Sequence, residues 1–103
     1  MREGFASWLA RVGKDEEALR EARQALRLDP RSLPALRLIA EIDSRSDRRF
    51  AEALAREKIF RVSRSREDWD TLLRTSRRSP AYTTRFAHLQ NSLAALLPQP
   101  RRP

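Results

Sequence analysis

The chain has 103 residues, no cysteine, and 22 lysines and arginines against 14 aspartates and glutamates, a formal net charge of +8. That length suits one domain with one modest core. The lack of cysteine excludes disulfides, thiolate metal sites and cysteine nucleophiles, and no apolar run approaches the roughly 18–20 residues that span a bilayer.

Punctuation divides the chain into six helical segments. Residues 2–12 place Phe5, Trp8, Leu9 and Val12 on one helical face, and Gly13 stands where a left-handed C-terminal cap belongs. Asp15, Glu16 and Glu17 then crowd the positive end of a second helix, whose stripe is Ala18, Leu19, Ala22, Ala25 and Leu26. Asp29-Pro30 ends it. Ser32 caps a third helix, with Pro34 in its first turn and Leu36, Ile39, Ala40 and Ile42 as its apolar residues. The polar run Asp43 to Asp47 is expected to break that helix.

A fourth helix, 48–62, carries two apolar stripes, one with Phe50, Ala53 and Leu54 and the other with Ala51, Ala55, Ile59 and Val62. A helix apolar on two sides is expected to pack on two sides. Ser65 to Asp68 resembles a capping box opening a fifth helix with Trp69, Leu72 and Leu73. Ser79-Pro80 starts a sixth, 80–97, in which Tyr82, Phe86, Leu89, Leu93, Leu96 and Leu97 step by helical intervals until Pro98. The tail 98–103 reads as extended and mobile. No segment alternates with period two. The fold class is therefore all-α, with short connections that favour antiparallel neighbours.

The charge is unevenly placed. Residues 71–103 hold Arg74, Arg77, Arg78, Arg85, Arg101 and Arg102 and no acid, whereas residues 1–70 are close to neutral. This basic patch suits an acidic protein, a nucleic-acid backbone or an anionic lipid surface, or it is simply a solvated face. The N-terminus opens no secretory signal, and early acids argue against a mitochondrial presequence, so a cytoplasmic location is the expectation.

The turn at Gly13-Lys14 recurs 34 residues later at Asp47-Arg48, Phe5-Ala6 recurs as Ile39-Ala40, and the next helix-pair boundary falls near Ser79-Pro80. A 34-residue period built from two helices resembles the tetratricopeptide repeat (TPR) family. Within residues 1–34, Gly13-Lys14-Asp15-Glu16-Glu17-Ala18-Leu19 is similar to the family's inter-helix turn, and Ala25-Leu26-Arg27-Leu28-Asp29-Pro30 to its closing segment. Ala18, Ala25 and Pro30 match small-residue and proline positions, whereas Arg2 departs from the pattern. The second unit is degenerate: Leu36, Ile39 and Ala40 fit, but Asp43 and Phe60 do not. In the third, Trp69 and Leu72 fit and the last helix lacks the small-residue signature.

The resemblance implies a short α-solenoid of about six antiparallel helices stacked as hairpins, with repeats at 1–32 and 33–65 and a terminal hairpin at 66–97. It implies a protein-binding groove lined by the first helix of each pair, with Glu3, Ser7, Arg11, Arg37, Glu41, Arg45, Arg74 and Arg77 as candidates. Some members clamp a peptide carboxylate with Lys, Asn and Arg. Glu3, Ser7, Leu38 and Glu41 stand at the corresponding positions here, so that clamp is not implied.

Catalytic signatures are lacking, and no catalytic residue, metal ligand or cofactor is assigned. His88 has no Cys, second His or acid near it in sequence and reads as structural. Asp68 and Asp70 diverge on a helix and read as solvated helix-start charges. Trp8 and Trp69 fit core stripes. The Arg/Ser runs at 61–66 and 77–80 and the PxxP of 100–103 have plainer readings as caps and tail. Three roles remain open. The first is an adaptor binding a peptide or helix of a protein partner, with an acidic segment as one option for that ligand. The second is polyanion or nucleic-acid binding through the C-terminal third. The third is self-association through open solenoid ends, as a homo-oligomer or part of a larger complex, since the first helix lacks an obvious polar outer cap over Phe5, Trp8, Leu9 and Val12. Met1 falls almost at a repeat boundary, so the chain reads either as complete or as the end of a longer array.

Overall fold

The structure, a computed structural model, describes residues 13–98, and they are all-helical with no strand among them. The predicted helix over 2–12 and the tail 99–103 lie outside the described residues. Five helices follow in order: α1 Asp15–Leu28, α2 Leu33–Arg45, α3 Arg49–Ser63, α4 Arg66–Ser76 and α5 Pro80–Ala94. They correspond to the second to sixth predicted segments.

Two kinds of start signal alternate. Helices α2, α4 and α5 begin after serine caps: Ser32 accepts from the Ala35 N–H (3.4 Å), Ser65 from Asp68 (3.1 Å) and Ser79 from Tyr82 (3.2 Å). Helices α1 and α3 begin after a left-handed residue with no side-chain cap; α4 also follows a left-handed residue, Arg64 at φ 54°, but is then capped by Ser65 in extended geometry. Gly13 has φ 82° and Asp47 has φ 57°. The residues that follow them are alike too, Lys14 at φ −98°, ψ 63° and Arg48 at φ −89°, ψ 76°. The 34-residue recurrence is thus present in backbone conformation. It stops there, because α5 starts from Ser79 in extended geometry.

Three boundaries differ from expectation. The polar run after Ile42 does not end α2, which continues to Arg45 with Asp43 buried. The helix closes one turn later, where the N–H groups of Asp47 and Arg48 bond the carbonyls of Ser44 and Asp43 around left-handed Asp47. Helix α3 runs from Arg49 to Ser63, one residue later at each end than expected. Helix α5 stops at Ala94 rather than 97. Leu96 and Leu97 bond back only three residues, since the residue before Pro98 is pushed out of helical geometry.

Short connections join successive helices, and each helix packs on the next. Helix α3 is central and packs on α2, α4 and α5. Its two apolar stripes serve two clusters: Ala55 and Ile59 meet Leu36 and Ala40 of α2, while Ala53 and Phe60 meet Trp69, Leu72, Tyr82, Phe86 and Leu93. A third cluster joins α1 to α2 through Ala18, Leu19, Ala22 and Ala25 against Ala35, Leu38 and Ile42.

Candidate interaction surface

Helix α2 buries Leu36 and Ala40 against α3, and Ala35, Leu38 and Ile42 against α1. The remaining stripe, Arg37, Glu41 and Arg45, steps by four and is left exposed. On α4 the same logic buries Asp68, Trp69, Leu72, Thr75 and Ser76 and exposes Glu67, Asp70 and Arg74, with Arg77 just beyond its end. Of the candidate groove residues, Glu3, Ser7 and Arg11 lie outside the described residues. The other five are exposed on α2 and at α4.

Two of those five are already engaged. Arg37 grips Asp68 with both terminal nitrogens, at 2.9 and 3.0 Å, which ties α2 laterally to α4. Arg45 reaches Asp15 at 2.9 Å and ties α2 to α1. Arg74 donates to Thr71 within its own helix. No described residue forms an ion pair with Glu41 or Arg77.

Asp68 is not the solvated charge expected from its position at a helix start. It is buried, and besides Arg37 it accepts from the hydroxyls of Ser63 (2.5 Å) and Ser65 (2.9 Å). The guanidinium of Arg37, opposed by burial and helped by the two hydroxyls, holds its pKa down to about 2. The capping box is therefore half-made: Ser65 accepts from the Asp68 N–H, but the carboxylate turns outward to Arg37, and the Ser65 N–H goes to Ser63 Oγ instead. Asp70 does remain exposed, opposite Arg66 at 3.7 Å.

The basic patch divides. Arg74, Arg77 and Arg78 are exposed, whereas Arg101 and Arg102 lie outside the described residues. Arg85 is matched by Glu57 of α3, with Nε and Nη2 donating at 3.2 and 3.1 Å. Glu57 is buried and also accepts from the Tyr82 hydroxyl (2.8 Å) and Arg61 (3.3 Å). Burial pushes its pKa up, but the hydrogen bonds from Arg85, Tyr82 and Arg61 together outweigh burial and hold it below the ordinary value. The Tyr82 hydroxyl is driven the other way, upward, by burial and by Glu57. Sequence reasoning missed Glu57 and the long-range partners of Asp68, because each pairing spans roughly 25 to 31 residues.

His88 is exposed on α5. Trp69 packs between Phe60 and Phe86, at ring distances of 5.1 and 5.8 Å. Ser65 and Ser79 act as caps. Among the described residues no group of three or more His, Asp or Glu is placed to hold a metal ion, and no helix is long and apolar enough to cross a membrane. Comparisons of the chain with protein-family models, curated proteins and solved structures found no match.

Proposed function

We propose that the chain is a non-catalytic protein-interaction module of the tetratricopeptide type, acting in the cytoplasm, whose α2 and α4 faces receive a peptide or helix of a protein partner. The observation that carries this reading is the backbone recurrence at Gly13-Lys14 and Asp47-Arg48, 34 residues apart. Around it, alanines are buried where helices meet: Ala18, Ala22, Ala25, Ala35, Ala40 and Ala55. Small residues let paired helices approach closely and stack as repeats. The Arg37–Asp68 bridge links α2 to α4, and the exposure of Glu41 and Arg74 on these two helices supports their serving one surface.

Photo-crosslinking residues at Glu41 and Arg74 are expected to yield adducts with a protein partner in cells, whereas the same residue at exposed Gln90 on α5 is not. Equal adducts from all three positions, or none from 41 and 74, reject the reading. A polyanion contact is the second reading, favoured by exposed Arg74, Arg77 and Arg78 in a stretch without acids. Nucleic-acid retardation that falls steeply with salt and is abolished by reversing those three charges would put it first.

A further inference from the structure

Helices α1 and α3 both pack on α2, each joined to it by a short turn. Their backbones do not pack against each other. The result is a cleft of about 230 Å³, floored by Leu36 and Ile39 of α2, with Leu26 of α1 and Leu54 of α3 on its walls. At the start of α3 the guanidinium of Arg48 reaches Glu16 of α1 (3.3 Å) and Asp43 of α2 (3.8 Å). Arg37 and Glu41 do not line it, so this surface is separate from the one proposed above.

The rim is cationic. Arg23 of α1 and Lys58 of α3 stand on opposite sides of the cleft. Arg20 and Arg27 lie one turn to either side of Arg23 on the exposed flank of α1. Among the described residues, no carboxylate forms an ion pair with Arg20, Arg23, Arg27 or Lys58. This contrasts with Arg37, Arg45, Arg48, Arg61 and Arg85, each held by an acid. Asp43 is the acid in the lining; it is buried, pairs with Arg48 at 3.8 Å and is also attracted by Arg23 from beyond ion-pair distance, which leaves Lys58 and the outer face of Arg23 for a ligand.

The volume falls below the roughly 300–1,000 Å³ of small-molecule pockets, so it fits one or two apolar side chains rather than a cofactor. Helix-in-groove recognition uses that combination: apolar anchors below and complementary charge at the rim. A second copy of this chain, with its net positive charge, is a poor match for a cationic rim.

From this geometry we infer that the α1–α3 cleft docks a short acidic segment of a protein partner, which seats an apolar side chain on Leu36, Ile39 and Leu54 and sets its carboxylates against Arg23 and Lys58.

The test is selection from a random peptide library displayed on phage against the immobilised full chain, followed by affinity measurement of the enriched peptides. The expected peptides combine Asp or Glu with a Leu, Ile or Phe anchor. The double variant R23E/K58E should weaken them by roughly tenfold or more, while R74E/R77E changes affinity less than about twofold. Circular dichroism of each variant checks that the helices persist. Chemical-shift changes on titration should centre on Leu26, Ile39 and Leu54. Enrichment of peptides without acids, or no enrichment, overturns the inference. Peptides weakened by R74E/R77E but not by R23E/K58E also overturn it, and support the α2–α4 face instead. Single-stranded DNA that displaces the peptides at equal charge concentration overturns it in favour of a phosphate-binding surface.

Discussion

Between α1 and α2 the buried contacts are made by Ala18, Ala22, Ala25 and Ala35 with a few leucines and isoleucines, and no aromatic ring takes part. Between α3, α4 and α5 they are made by Phe60, Trp69, Tyr82 and Phe86, a run of rings 5.1 to 6.1 Å apart. The first arrangement sets helix spacing by small side chains and leaves α1 and α3 open to each other. The second fills space with large ones, and its edges are bound by buried carboxylates, Glu57 and Asp68. Alanine contacts can be repeated with the same geometry from one hairpin to the next. Ring contacts are particular to one site, which fits the loss of the 34-residue backbone recurrence at α5.

The largest expected effect separates these two modes. Phe60 is fully buried, so Phe60→Ala should cost about 3–5 kcal/mol in urea denaturation through the cavity it leaves. Truncation cannot test the alanine half, but overpacking can. Ala22 is fully buried, and Ala22→Leu should cost about 1–3 kcal/mol by forcing α1 away from its neighbours. A larger loss from Ala22→Leu than from Phe60→Ala would reverse the comparison and make helix spacing the more constrained feature.

Much of the all-helical plan was legible in local sequence. Ser32, Ser65 and Ser79 were readable as caps, and α3 was readable as packed on two sides, although Phe50 of the expected stripe is exposed and Phe60, which neither stripe included, is fully buried. The Gly13 and Asp47 turns were legible because one of them carries the glycine that positive φ favours. The ionic interior was not legible. Asp43 sits in a polar run that locally resembles a loop, and only packing against α3 keeps it helical and buried. Asp68 looked like a helix-start charge because its partner, Arg37, comes from another hairpin. Glu57 is unremarkable in a charged helix until Arg85 and Tyr82 arrive from α5. In the candidate site, Arg37, Glu41 and Arg45 of α2 came from the register that the repeat resemblance implies, and all three are exposed. That Arg37 and Arg45 are occupied required the tertiary structure.

Acid should sharpen the contrast, since the buried carboxylates respond with opposite sign. Asp68 titrates near 2 in the fold against roughly 3.9 unfolded, so its contribution is complete above the unfolded value and is lost as pH falls through about 2. That contribution is about 1 kcal/mol. It falls short of the roughly 2.6 kcal/mol of a fully shielded pair because Arg37 is 46% exposed. Burial raises Asp43 despite the attraction of Arg48, so its charge opposes folding at neutral pH, and stability is regained as pH falls through its folded value towards the unfolded one. Melting temperature measured against pH should show this directly. Asp68→Asn is expected to lower the melting temperature at pH 7 and flatten the decline below about pH 4. Asp43→Asn should not lower it at pH 7, and should remove the gain on mild acidification. Equal losses from both variants at pH 7 would show that the two carboxylates play one role.

The smallest effect concerns Gly13 and Asp47, the two left-handed residues of the 34-residue recurrence. At Gly13 an added Cβ would meet nothing within 4 Å, so Gly13→Ala tests backbone strain without a steric clash, at roughly 1 kcal/mol. At Asp47 the same strain is already present, partly relieved because Asp tolerates this region better than most residues. Asp47→Gly removes the strain but adds freedom to the unfolded chain, and it deletes an exposed pair with Arg49 at 3.0 Å. The balance should be a gain of about 0.5 kcal/mol, read as a higher urea midpoint with an unchanged slope. A lower midpoint would mean that the Arg49 pair and the unfolded-state entropy outweigh the strain, so that the two turns share a shape while being stabilised by different means.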